Sequence, residues 1–227
     1  MHKSMSILQA AQLSCDVYKP SSRILSIYRH KNISMLQQKS HPLLLTMRDN
    51  NDLYVAFRGC KDVQEFIKCI DAKMVSPKCE LNAKIQHTFW RTFEEIQDEL
   101  TDIIHENEIN DIENIIFTGH SKGGALAQIA SSMLDVQDKP KKCITFGAPY
   151  VGDKGFQQLL EQQTRVHKRI VAKGDIIPFA KLHKELVHNG EELILHTHVA
   201  SPLKCMEHHS CQNYIDGIKN MNINNDT

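Results

Sequence analysis

The chain has 227 residues and contains no apolar run approaching the ~20 residues that a membrane-crossing helix needs. It has no excess of either charge, since Lys plus Arg and Asp plus Glu both total 27. Nucleic acid, which calls for a cationic surface, is therefore not an expected partner. The seven cysteines are an odd number, widely scattered, with no C-x-x-C pair. That pattern fits free thiols in a reducing compartment better than a disulfide framework or a zinc site. The N-terminal region lacks a continuous apolar core of the kind an export signal carries. Ile7 to Val17 is interrupted by Gln9, Gln12, Ser14 and Asp16, and reads instead as an amphipathic first helix. The expected location is intracellular and cytoplasmic, so the formal sequon Asn32-Ile33-Ser34 carries no expectation of glycosylation. There is no repeat, no Gly/Ser-rich linker and no low-complexity tract. One domain over 1–227 is expected, with a frayed polar tail from Asn220 to Thr227.

Short apolar strands alternate with helical periodicity along the rest of the chain. Lys19 to Ser40 is polar and predicts no firm element. Leu43 to Arg48 and Leu53 to Phe57 predict two strands around the turn signal Asp49-Asn50-Asn51-Asp52. Val63, Phe66, Ile67 and Ile70 fall at helical spacing and predict a short amphipathic helix closed off by Pro77. A long helix is expected from Thr88 to His105, with Phe89, Phe93, Ile96, Leu100 and Ile103 on one face. Strands at 114–118, 142–146, 169–172 and 193–195 then alternate with helices at 123–134, 154–163 and 212–219. This is an α/β pattern with a mainly parallel central sheet flanked by helices, in which function gathers at the carboxyl ends of the strands.

The most informative stretch is Ile115-Ile116-Phe117-Thr118-Gly119-His120-Ser121-Lys122-Gly123-Gly124-Ala125-Leu126-Ala127. A β run enters Gly-x-Ser-x-Gly and a small-residue helix leaves it, which is the pattern of a nucleophile elbow with Ser121 on the turn. Gly119 and Gly123 are required because side chains at those positions would collide across so sharp a bend. The helix N-terminus directs backbone N–H groups to the place where negative charge would develop.

A serine hydroxyl needs a base to take its proton and an acid to orient that base, and in this kind of elbow the partners follow in the order Ser, Asp/Glu, His. Asp175 lies just past a buried strand, in Gly174-Asp175-Ile176-Ile177-Pro178. Asp153 is a rival acid, although a helix N-cap role explains it equally well. Of thirteen histidines, six follow Asp175: His183, His188, His196, His198, His208 and His209. His208 and His209 share a loop before the final helix, and residue physics alone does not separate them. His196, His198, Cys205, His208, His209 and Cys211 complete no familiar zinc spacing, and a metal would compete with the base.

These motifs resemble the class 3 lipase family, the fungal triacylglycerol lipase-like α/β-hydrolases, in recognisable order from Ile7 to Ile218. Leu53-Tyr54-Val55-Ala56-Phe57-Arg58-Gly59 is similar to the family's strand ending in Arg-Gly, and 119–127 to its elbow. Thr145-Phe146-Gly147-Ala148-Pro149-Tyr150-Val151-Gly152-Asp153 is similar to its Phe-Gly-x-Pro segment, and 174–178 to its acid-bearing turn. His209 followed by Tyr214 is similar to its His-then-Tyr ending, which favours His209 over His208.

The resemblance implies a serine esterase or lipase with Ser121 as nucleophile, His209 as base and Asp175 as its orienter. Backbone N–H groups of Cys60 and Lys122 would form the oxyanion hole. No metal or organic cofactor is implied. The substrate would be a lipid or smaller ester, with residues 61–84 placed where the family has its lid and transient contact with a lipid surface as a corollary. The sequence departs from the family at Cys60, where Ser or Thr is usual, at Lys122, usually Leu, and at Thr88, often Gly. The departures at Cys60 and Lys122 keep open a second reading, a lipase-fold module that binds lipid or a protein without turnover.

Overall fold

The computed structural model describes residues 6–61, 63–78, 82–107, 111–196 and 205–221. The chain opens with α1 (Ile7–Asp16), whose first turn is capped by the Ser6 hydroxyl accepting from Gln9 N–H at 3.2 Å. The stretch expected to be irregular instead forms α2 (Ser21–Ile27) and β1 (Asn32–Gln38). β1 is an edge strand paired on one side only, so its sequence Asn-Ile-Ser-Met-Leu-Gln-Gln lacks the apolar run that marks a buried strand. β2 (His41–Asp49) and β3 (Asp52–Phe57) form the expected hairpin, with Asn50 at φ +55°, a backbone state Asn tolerates well.

Next come α3 (Val63–Cys69), the short strands β4 (Met74–Val75) and β5 (Ile85–Gln86), then α4 (His87–Glu94) and α5 (Gln97–Glu106). Two expectations are corrected in this stretch. The first helix stops well before Pro77, which follows β4, and it buries Phe66 but leaves Ile67 65% exposed. The long helix is broken at Glu95–Ile96 into α4 and α5, and Ile104 rather than Ile103 is its innermost late residue.

The remainder runs β6 (Asn114–His120), α6 (Lys122–Met133), β7 (Lys141–Phe146), α7 (Lys154–Gln163), β8 (Val166–Ala172), β9 (Glu191–Leu195), α8 (Cys205–His208) and α9 (Cys211–Asn220). Of the expected tail, 222–227 lies outside the described residues.

Seven strands form one sheet in the order β1-β2-β3-β6-β7-β8-β9. The β1-β2-β3 pairs are antiparallel, and every pair from β3 onward is parallel. Helices cover both faces, so the inner strands are apolar on both sides. Leu53, Val55, Phe57, Ile115 and Phe117 meet the α4–α7 side, while Tyr54, Ala56, Ile116, Ile144 and Ile170 meet α1 and α9. α6 is buried from Gly123 to Ser132, and its small residues let it sit close to β6 and β7. In register, Phe57 pairs with Gly119 and His120 with Phe146. The strand ends that lead to Arg58, Ser121, Gly147 and Asp175 therefore share one rim of the sheet.

Candidate active site

A single residue, Ser121, separates the end of β6 from the start of α6, and its backbone sits at φ +57°, ψ −129°. That conformation is costly for a residue with a Cβ and is held by its surroundings. Ser121 N–H donates to the Phe146 carbonyl at 2.9 Å, and the Ser121 carbonyl accepts from Gly124 N–H at 2.9 Å. Although Ser121 occupies the N-cap position, its hydroxyl makes no capping bond, so the oxygen is not spent on the helix. The expected glycines are structurally required. A Cβ at Gly119 would collide with the Gly123 backbone, and one at Gly123 with the Phe57 carbonyl.

Asp175 follows β8 on the turn opened by Gly174 and is almost fully buried. Three donors satisfy its carboxylate. Ile177 N–H reaches Oδ1 at 2.9 Å, while His209 Nδ1 at 2.7 Å and Tyr214 Oη at 2.6 Å both donate to Oδ2. Tyr214 in turn accepts from Ala172 N–H at 3.2 Å, which ties α9 to the end of β8. Burial and the neighbouring Asp175 carboxylate push the Tyr214 phenol well above its ordinary range, so it remains a donor. With Nδ1–H committed to Asp175, His209 Nε2 carries the lone pair; it is buried and has no partner among the described residues.

The rivals fall elsewhere. Asp153 caps α7, accepting from Phe156 N–H and Lys84 N–H, each at 3.0 Å. His208 packs over Gly174 instead of entering the pair. His183 accepts from Glu185 N–H, His188 donates to the Pro178 carbonyl, and His196 is exposed. His198 lies outside the described residues.

Two further residues, Tyr18 and His120, join the site without any signal in the sequence. His120 Nε2 donates to the His209 carbonyl at 2.7 Å, and the two rings lie 4.6 Å apart. His120 Nδ1 must then accept, and Tyr18 Oη lies 3.2 Å from it. Tyr18 Oη also accepts from Gly59 N–H at 3.1 Å. Burial drives the His120 pKa well down, with His209 beside it acting in the same sense, in keeping with a neutral ring. One hydrogen-bonded line thus runs from the 58–60 loop through Tyr18 and His120 to the backbone of His209. Arg58, Gly59, Cys60 and Lys122 border a common cavity of about 130 Å³ beside the elbow.

The sequence pattern described as Lipase (class 3) matches residues 54–184, from β3 past the Asp175 turn. The chain belongs to the class 3 lipase family. A lipase of Rhizopus niveus is 25% identical over 172 residues, covering 73% of this chain and 43% of that protein. Protein EDS1 of Arabidopsis thaliana is 34% identical over 109 residues, covering 42% of this chain and 17% of that protein. The chain thus spans less than half the length of these relatives. The Rhizomucor miehei triacylglyceride lipase structure superimposes with a TM-score of 0.69 at 21% identity, covering 83% of this chain and 78% of that one. At that identity the likeness establishes the shared α/β-hydrolase architecture. Within the class 3 lipase frame, the stretch after the Arg-Gly strand end holds α3, where Phe66 stacks on Phe89 at 6.5 Å and Ile67 faces solvent. Among the described residues no helix is long and apolar enough to cross a membrane.

Proposed function

We propose that this class 3 lipase family member hydrolyses carboxylic esters of acylglycerols or related lipids through Ser121, His209 and Asp175. The observation that carries the reading is the buried 2.7 Å His209–Asp175 pair. Its second imidazole nitrogen has no partner among the described residues, and Ser121, on the same rim of the sheet, holds a strained backbone and a hydroxyl that does not cap its helix.

In the proposed reaction, His209 Nε2 takes the Ser121 proton as Oγ attacks the ester carbonyl. The imidazolium that forms is stabilised by Asp175, whose carboxylate three donors hold in place. The tetrahedral oxyanion is met by backbone N–H groups of Cys60 and Lys122, positions whose donors do not depend on side-chain identity. Collapse expels the alcohol, which receives the proton from His209. Water, activated by the same nitrogen, then clears the acyl group from Ser121.

A fluorophosphonate probe tests the assignment. The wild-type protein is expected to label covalently and Ser121→Ala not at all. A folded wild type that stays unlabelled would overturn the hydrolase reading in favour of a binding module. Initial rates on p-nitrophenyl esters of increasing chain length, with and without a lipid interface, define the substrate and whether residues 61–84 respond to a surface.

A further inference from the structure

Two cations beside the elbow make no ion pair among the described residues. Arg58 follows β3, and its Nε is buried without a hydrogen-bond partner there. Lys122, half-buried at the start of α6, makes no ion pair or side-chain hydrogen bond among the described residues. Both side chains border the same cavity of about 130 Å³ as Gly59 and Cys60. A cavity of roughly 150 Å³ accommodates one benzene ring, so this space suits a compact group and not a long acyl chain.

One carboxylate shares the lining with these two cations. Glu65, which also borders the cavity, accepts from Lys61 N–H at 2.6 Å. Lys122 reaches as well into an adjoining cleft of about 430 Å³, where Asp71 is paired with His87 at 3.0 Å and Glu95 with Arg91 at 3.3 Å. With two cations against the one carboxylate of Glu65, the cavity lining keeps one net positive charge. Partly desolvated cations are unfavourable unless an occupant brings the opposite charge.

We infer that this cavity receives an anionic group, a carboxylate or a phosphate, carried by the ester substrate a few bonds from its scissile carbonyl. The inference rests on the hydrolase reading and narrows its substrate class to acidic esters. Arg58 offers a planar fork suited to either oxyanion, and Lys122 a mobile point charge. The acid can sit on the acyl side or on the alcohol side of the ester. Both place the same chemistry in the cavity, and substrate pairs separate them.

For the acyl side, kcat/KM for the mono-p-nitrophenyl ester of glutaric acid is compared with that for p-nitrophenyl pentanoate. For the alcohol side, butyryl-glycerophosphate is compared with monobutyrin. In the wild-type protein the acidic member of at least one pair is expected to be favoured tenfold or more at low salt. The advantage should shrink as ionic strength rises. Lys122→Met should cut the acidic-to-neutral ratio at least fivefold, and Lys122→Glu should reverse the preference. Reading a ratio cancels any loss common to both substrates through the backbone at position 122. Arg58→Gln should act like Lys122→Met; if it does not fold, the Lys122 variants still decide.

Fluorophosphonate labelling with ratios near or below one in both pairs overturns this inference and leaves the hydrolase reading standing. A preference for the acidic ester that Lys122→Met and Lys122→Glu both leave unchanged also overturns it. Absence of labelling removes the hydrolase reading, and this inference with it.

Discussion

Tyr214 and His209 donate to the same oxygen of Asp175, at 2.6 and 2.7 Å. The five-residue spacing between them lets one side chain come from the start of the 209–210 turn and the other from within α9. Tyr214→Phe keeps the ring in the core but removes the bond to Asp175 and leaves Ala172 N–H without its acceptor. The expected loss of stability is about 1.5–3 kcal/mol, measured by urea unfolding. Ester turnover should fall severalfold, because Asp175 loses one of the donors that fix it against His209.

The acid and base assignments have paired controls. His209→Ala and Asp175→Asn should each lower kcat by orders of magnitude with the fold intact; the equivalent Asp→Asn change in serine proteases costs about 10⁴-fold. His208→Ala should remain within a few-fold of wild type. Asp153→Asn should be close to silent, because Asn caps a helix about as well as Asp, whereas Asp153→Ala should cost about 1 kcal/mol. A crippled Asp153→Asn or His208→Ala enzyme would move the assignment.

Tyr18 reaches the site from the end of α1, far away in sequence. Tyr18→Phe removes the acceptor of Gly59 N–H and the donor to His120 at once. An unsatisfied peptide N–H of this kind costs about 1–3 kcal/mol. If the line of hydrogen bonds also positions the 58–60 loop, kcat should fall more than KM rises, because a displaced oxyanion donor is felt mainly in the transition state. A change confined to stability would assign Tyr18 a purely structural role.

Three histidines make folding sensitive to acid. Burial holds His120 well below its ordinary range, pushes His167 to about 3 and His188 to about 4, with the Arg169 guanidinium acting the same way on the last two. In the unfolded chain each titrates near 6.5, so between that value and its folded one the unfolded state binds more protons. Their contribution is therefore complete above about pH 6.5 and is lost as pH falls. Each approaches about 1.4 kcal/mol per pH unit once fully protonated in the unfolded chain. Urea midpoints between about pH 7.5 and about pH 5 should drop steeply, and His188→Gln should reduce the slope by about one proton. A flat profile would show that these rings protonate in place.

The parts of the fold that were legible in the sequence are those with strong local chemistry. β6, β7 and the core of β8 are continuous apolar runs, α6 is a small-residue helix, and Gly-x-Ser-x-Gly encodes its own backbone geometry. β1 was not legible because an edge strand carries little burial in its sequence. The break between α4 and α5 leaves no mark either, since no Gly or Pro lies at Glu95–Ile96 and the apolar spacing continues across it. At the site, Asp175 and the pair His208/His209 could be found from chain order, but choosing between adjacent histidines needs the direction of each ring. The Tyr18–His120–His209 line and the Arg58–Lys122 surplus depend on which residues meet in space, and no spacing rule reports that.

The serine at the elbow also sets a ceiling on how robust this protein can be. Its left-handed backbone carries a penalty of about 1–3 kcal/mol that a residue without a Cβ would largely escape. Ser121→Gly should therefore melt at least as high as the natural chain while having nothing with which to attack an ester. Selection for heat tolerance alone would erode this position first. Its retention would then have to come from the chemistry and not from the architecture.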